Sequence, residues 1–419
     1  MIIEGDCVLA KGIRYVQIII DSSGIIKSVN EKGTKLFQKP DYVFKKGCIY
    51  PGFVDIHVHA REDPSHSQDY KEDFYSASLA AINGGVVAFA DMPNNPRPPT
   101  ENKSYLEKQR LIDTSLVDVL LYAGIGPNTQ PLEKIRTPYK LFMGPSIGNL
   151  YFENDSDIEI AIKKYKGKHI SFHCESSDLL NDFKQKDSHD SHRPELVEVD
   201  AISKVISLLK KYDFKANICH VSTKKGLELI IDAKENNLPI TCEVTPHHLF
   251  FDLENRKAIK DYDWLLQMNP PLRSIEDRLF LLEKFKEGRI DYLASDHAPH
   301  TLDEKKKFIS GVPNLDTYGN IVGWLLRNKV PIFQIIKSCC INPGSFIRKF
   351  RPDIKLGRIE KGYLASLTVL STKHLTQINK TDLKTKCNWS PFENMSFYGS
   401  ISAVFVRGKP YFAEDLDKL

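Results

Sequence analysis

The 419-residue sequence has eight cysteines but no CxxC pair among them, and no run of 18 uninterrupted apolar residues. It also has no stretch of Lys and Arg dense enough, or interleaved with enough aromatics, to mark a nucleic-acid surface. Each absence excludes something. Cys48, Cys174, Cys219, Cys242 and Cys339 lie in or beside apolar runs, where a reduced thiol behaves as a small hydrophobe. With Cys7, Cys340 and Cys387 they read as the usage of a reducing, cytoplasmic compartment and not as a disulfide scaffold. Without a long apolar run no membrane-spanning helix is expected. A net charge of +4 is weak for this length, and the basic stretch Lys163–Lys168 reads as a solvated helix end, so no nucleic-acid partner is expected. The start, MIIEGDCVLAKG, places an acid at position 4 and has no basic region followed by an apolar core, unlike a signal peptide. No repeat, low-complexity segment or long disordered linker is visible. Hydrophobic residues at 41% and charged residues at 27% fit an ordinary globular chain.

What is present is a change of rhythm. Residues 15–20 (YVQIII) and 25–29 (IIKSV) flank the turn Asp21-Ser-Ser-Gly24, a hairpin signature. From residue 53 onward, apolar runs recur at 53–58, 86–91, 116–123, 139–143, 168–173, 215–220, 239–244 and 290–295. Amphipathic stretches with helical spacing separate most of them: Asp69–Asn83, Glu101–Asp113, Asp155–Lys166, Glu195–Tyr212, Thr223–Asn236 and Ile275–Glu287. Strands alternating with helices imply parallel pairing and right-handed crossovers. Eight such units predict an α/β fold of the (β/α)₈ TIM-barrel type, with an open sheet as the competing arrangement. Helical segments are expected over about 316–341, and strands over 356–371 and 399–412. The predicted division is a barrel over 51–354 and a small β-sandwich domain made of 1–50 plus 355–419.

Six residues of ligand type stand where these runs end: His57 and His59 in FVDIHVHARE, Lys140 in YKLFMG, His173 in ISFHCE, His220 in ANICHVS and Asp296 in YLASDHAPH. Barrel enzymes build their sites from the C-terminal ends of separate strands. Imidazole and carboxylate without thiolate suit a divalent ion such as zinc. In His57-Val-His59 the alternation of a strand turns both imidazoles to one face. Lys140 is the anomaly, because a lysine heading an apolar strand inside a barrel is a costly buried charge unless it snorkels or is salt-bridged. Its functional reading is a carbamate formed with CO₂, whose two oxygens would bridge two divalent ions. Desolvation beside cations leaves the neutral amine free for that reaction. Asp296 reads as a ligand that also accepts the proton of a bridging water. His300 is placed to reach a substrate and His297 reads as structural. His247 and His248 are not read as ligands, and His66, His169, His189, His192 and His374 are expected at the surface.

Taken together, PGFVDIHVHARE, GGVVAFADMPNNPRPP, YKLFMG, FHCE, ICHVST, CEVTPHHLF, NPPLR and ASDHAPHT resemble, in order and spacing, the dihydroorotases of the amidohydrolase superfamily. The similarity runs from about Gly5 to Phe412 and includes the tail motif KCNWSPFENM. The resemblance implies a zinc-dependent, reversible hydrolase of a cyclic amide, interconverting L-dihydroorotate and N-carbamoyl-L-aspartate in pyrimidine biosynthesis. It implies two Zn²⁺ ions bridged by carbamylated Lys140 and a hydroxide, with His57, His59, His173, His220 and Asp296 as the other ligands and Asp296 as the catalytic proton carrier. Arg61, Asn94, Asn269 and His300 match the family's substrate contacts, and a guanidinium suits a carboxylate because its planar fork binds through two hydrogen bonds. The partner is then a small molecule, with no nucleic acid and no membrane, and a homodimer is left open. Two departures stand out: a longer loop REDPSHSQDYKED after His59, which bears on loop conformation, and Asn314 where a second glycine is commoner, which bears on backbone contacts to the substrate ring. Two rivals remain open: an allantoinase or dihydropyrimidinase, whose substrates lack the ring carboxylate, and a metal-free scaffold relative, which would have lost ligands this chain keeps.

Overall fold

The computed structural model describes residues 1–34, 37–145, 150–186 and 188–418. The first half of the fold begins with strands β1 (Ile2–Leu9), β2 (Gly12–Ile20), β3 (Ile26–Glu31) and β4 (Tyr42–Pro51). β1 and β2 pair antiparallel, as do β2 and β3 around the Asp21–Gly24 turn. The Asp21 carboxylate accepts from the backbone N–H groups of Ser23 and Ile25 and so closes that turn.

The barrel follows with β5 (Phe53–Val58), β6 (Val86–Asp91), β7 (Asp118–Leu121), β8 (Ala123–Ile125), β9 (Tyr139–Phe142), β10 (His169–His173), β11 (Lys215–Ile218), β12 (Ile240–Val244) and β13 (Tyr292–Leu293). All are parallel to their neighbours, in sheets of three (β5-β6-β7) and six (β13 to β8). The two sheets are arcs of one barrel. The apolar run 116–123 divides at Tyr122, so that β7 pairs with β6 and β8 with β9. The other seam closes where His59 N–H donates to His297 O at 2.8 Å and Ser295 N–H donates to the Asp55 carboxylate. Every residue of β5, β6, β9 and β10 is buried. That is why these strands read as unbroken apolar runs: helices cover one face and the barrel interior the other.

The helices bury one stripe each. In Glu195–Lys211 the residues Val197, Ala201, Val205 and Leu208 face the strands, with acids in the first turn and lysines in the last. In Lys224–Glu235 the Thr223 hydroxyl caps the N-terminus by accepting from Gly226 N–H at 3.1 Å.

The chain returns to the first sheet through β14 (Leu367–Ser371), a short pair β15 (Thr376–Gln377) and β16 (Ser396–Phe397), then β17 (Ser400–Val406) and β18 (Lys409–Phe412). One continuous seven-stranded sheet results, in the order β18-β17-β14-β4-β1-β2-β3, with its own core of Ile3, Val16, Ile18, Ile49, Leu367 and Phe405. Residues 356–366 do not extend the strand expected over 356–371. Gly357 and Gly362 take φ values of +92° and +81°, and only Leu364 forms a bridge, to Ile25. The helical stretch expected over 316–341 divides into Tyr318–Arg327 and Ile332–Ile336 at Pro331. No described helix is long and apolar enough to cross a membrane, and all eight cysteines are free.

Candidate active site

The residues singled out at strand ends meet at one end of the barrel. His57, His59, Arg61, Asn94, Lys140, His173, His220, Asn269, Asp296 and His300 all line a single cavity of about 430 Å³. They arrive from six strands and the segments that follow them: β5, β6, β9, β10, β11 and β13, with Asn269 on the connection after β12. Three of them sit on left-handed backbone, Arg61 at φ +65°, His220 at +35° and Asp296 at +46°. Side chains with a Cβ disfavour that region, and positions held there cluster at functional sites.

Hydrogen bonds fix which ring nitrogens face inward. Nδ1–H of His57 donates to the buried Glu243 carboxylate at 2.8 Å, and Nδ1–H of His59 donates to Asn94 Oδ1 at 2.7 Å. Their Nε2 atoms then carry lone pairs, and both approach the same Asp296 Oδ1, at 3.2 and 3.1 Å. Two lone pairs and a carboxylate oxygen converging at that distance is an arrangement that a cation relieves. His173 repeats the pattern: Nε2–H donates to Glu175 at 2.8 Å, leaving Nδ1 2.9 Å from His220 Nε2. Ligand atoms of His57, His220 and Asp296 all lie within 4.8 Å of one another.

Burial pushes the His59 imidazole down to about 3 and that of His220 well below its ordinary value. Both rings are therefore neutral near pH 7, the state a metal requires of a ligand. For Asp296, burial alone would raise the carboxyl, and it is positive charge at the centre of the cluster, on the rings of His57, His59 and His220 or on the cation they would hold, that keeps the group well below the usual range. Lys140 is fully buried, with Nζ 2.8 Å from Cys219 Sγ. Among the described residues it forms no ion pair. The donor set, its tautomers and its protonation states fit divalent metal.

Arg61 is buried beside this cluster, and no carboxylate among the described residues lies within ion-pair distance of it. Its Nε–H donates to Pro299 O at 3.2 Å and Nη2–H to His300 Nε2 at 3.1 Å. On the far side, His300 Nδ1 faces Glu304 at 3.3 Å and Lys71 Nζ at 3.4 Å. Burial, and then the charge of Arg61, lower the His300 imidazole to about 3. Asn269 has a buried Oδ1 without a hydrogen-bond partner among the described residues.

Several supporting groups were not visible in the sequence. Glu243, Glu175, Asn217 and Asp91 are acids or amides embedded in or just after apolar strands, and only that incongruity marks them. His297 is structural in its contacts: Nε2 faces Glu72 at 3.1 Å and Nδ1 accepts from Asn314 N–H at 3.2 Å. Asn314 is buried behind the cavity wall, where its amide donates to Ser295 O at 3.0 Å and meets His247 Nδ1 at 2.8 Å. Asn314 is not among the residues that line the cavity. His66 and His374 are exposed, but His169, expected at the surface, is buried between Phe346 and Phe350 at ring distances of 5.0 and 6.1 Å.

Two family models match the chain, a dihydro-orotase-like model over residues 47–162 and the amidohydrolase family over 152–411. A dihydroorotase of Pyrococcus horikoshii is 36% identical over 380 residues, spanning 89% of this chain and 83% of that relative. One from Methanosphaera stadtmanae is 32% identical, with 94% and 92% covered. Among solved structures, the L-hydantoinase (dihydropyrimidinase) of Arthrobacter aurescens superposes with a TM-score of 0.87 at 22% identity, covering 98% of this chain and 95% of its own. A D-hydantoinase from Thermus sp. gives 0.84 at 21%, covering 98% and 94%. At that identity the structural likeness speaks for the fold alone.

Proposed function

This chain belongs to the dihydroorotase family of amidohydrolases, and from that premise we propose that it interconverts L-dihydroorotate and N-carbamoyl-L-aspartate at a two-metal site in the barrel 51–354. Residues 1–50 and 355–419 supply the accompanying β-domain in this reading, and eight free thiols favour the cytoplasm. His57, His59, His173, His220, Asp296 and a carbamate on Lys140 would hold the ions, with zinc as the metal. When bound, the pair supplies Lewis-acid polarisation of the ring carbonyl and lowers the pKa of water to near neutrality.

The chain's own residues do the rest. Asp296, held ionised, takes the proton of the attacking water and returns it to the departing ring nitrogen. Arg61, Asn94 and His300 hold the substrate carboxylate. Asn269 offers its side-chain oxygen to a ring N–H. The observation that carries this reading over an allantoinase or dihydropyrimidinase is the buried Arg61 guanidinium, which has no carboxylate within ion-pair distance among the described residues. A ring without a carboxylate would leave that charge uncompensated.

Arg61→Met tests it. Truncating one side of a desolvated charge pair should cost roughly 2–5 kcal/mol in kcat/KM for L-dihydroorotate. Arg61→Lys should recover only part, since the two-pronged geometry is lost, and both variants should keep their metal. Near-normal turnover by Arg61→Met would return the case to a neutral cyclic amide.

A further inference from the structure

Arg61 stands on backbone that its side chain disfavours, so something must hold it there. On one side of its Cα, Ala60 N–H donates to Asp91 Oδ1 at 2.8 Å. On the other, Arg61 O accepts from Asn95 Nδ2 at 3.0 Å. Both gripping side chains are themselves set by one ammonium group. Lys108 Nζ lies 2.6 Å from Asp91 Oδ2 and donates to Asn95 Oδ1.

The geometry has a direct consequence for orientation. With its oxygen on the ammonium, the Asn95 amide can only turn its NH₂ towards Arg61 O. With Oδ2 on the ammonium, Asp91 keeps Oδ1 for the Ala60 N–H. Lys108 reaches this point from the helix Asn102–Leu111, and its Nζ also stands 5.8 Å from the centre of the Phe74 ring. Lys108 is 0% exposed, Asp91 1% and Asn95 2%, so water cannot replace any of the three. Buried ion pairs are weak devices for stability, and apolar residues of similar volume often do as well. A methionine would fill the same space. What a methionine could not do is orient the two groups on either side of Arg61.

We propose that Lys108 is a positioning residue for Arg61: through Asp91 and Asn95 it aims the guanidinium at the substrate carboxylate and thereby sets the preference for carboxylate-bearing rings. The proposal rests on the reading of Arg61 as the carboxylate-binding group. Lys108 itself does not line the cavity and touches no substrate.

Steady-state kinetics on L-dihydroorotate with the metal-loaded full chain tests it in a double-mutant cycle. Lys108→Met should raise KM at least tenfold, with kcat within threefold of wild type and metal content unchanged. In an Arg61→Met background the same change should alter kcat/KM by less than twofold, because the group it aims is gone. An equal loss in both backgrounds would overturn the positioning role and leave Lys108 a general structural residue. Arg61→Met at wild-type kcat/KM would instead reject the reading of Arg61 on which the proposal stands. Asn95→Ala covers the case in which Lys108→Met does not fold, since it keeps the Lys108–Asp91 pair and releases only Arg61 O. The same KM rise, again absent in the Arg61→Met background, is expected of it, and an unchanged KM would overturn the proposal.

Discussion

Glu243→Gln probes how much of the metal site is built behind the ligands. Glu243 is fully buried and its two oxygens have separate duties. Oε2 holds the His57 Nδ1 proton at 2.8 Å, and Oε1 accepts from Asn217 Nδ2 at 2.6 Å. A glutamine has one acceptor for these two donors. If its oxygen faces Asn217, its NH₂ meets His57 and drives the ring proton to Nε2, the nitrogen that faces Asp296. If its oxygen faces His57, two NH₂ groups oppose each other in a dry interior. Removing the carboxylate that orients a metal-bound histidine typically lowers metal affinity 10–100-fold, which is roughly 1.4–2.7 kcal/mol. The assay is competition for the metal against a chelator of known affinity, wild type beside variant, with activity followed as metal is restored. The variant should need about one to two decades more free metal for half-maximal activity and then approach wild-type turnover. Unchanged affinity would mean that the His57 tautomer does not depend on Glu243 and that the carboxylate does not help build the metal site.

Lys140→Ala should lose a bridging anion and most activity, with partial rescue by short carboxylic acids; full activity with two tightly held metals would reject the carbamate. Asp296→Asn should cut turnover by ~10²–10⁴-fold while metal is retained, whereas loss of metal together with unfolding would make Asp296 chiefly a structural ligand. Ring closure consumes a proton, so the equilibrium ratio of dihydroorotate to carbamoyl-aspartate, followed by absorbance, should rise as pH falls. Burial lowers the His169 imidazole to about 3 against 6.5 ordinarily, so below pH 6.5 the unfolded chain takes up a proton that the folded chain refuses, and stability falls with pH. Between pH 7 and 5 this one group accounts for about 2 kcal/mol, and His169→Leu should remove about that much of the pH-dependent loss in unfolding free energy measured by urea titration.

The barrel was legible because its strands are buried on both faces and therefore read as apolar runs, and because ligand-type residues end several of them. The seven-stranded sheet was harder to foresee as a single sheet, since β14 must join β4 across more than 300 residues of sequence, which local pattern does not encode. Periodicity also could not place the break at Tyr122, where one run serves two neighbours, nor the loop at 356–366, where two glycines on left-handed backbone interrupt an apolar pattern. In the site, the residues that line the cavity carried motif signals. Those that orient them, such as Glu243 behind His57 and Lys108 behind Arg61, look in sequence like isolated charges in a strand or on a helix. Their roles appear only when distant segments are brought together. His169 was misplaced for the related reason that a histidine at the start of a strand looks solvated until Phe346 and Phe350 are seen to cover it.

The most direct test is turnover by the purified, metal-loaded protein on L-dihydroorotate beside allantoin and dihydrouracil, with metal analysis of the same sample. A two-metal site with Arg61 on the substrate carboxylate should hydrolyse L-dihydroorotate in strong preference to both carboxylate-free rings, hold close to two divalent ions per chain, and lose activity on chelation that added zinc reverses. Preferred turnover of allantoin or dihydrouracil, or full activity after the metal has been removed, would contradict that reading.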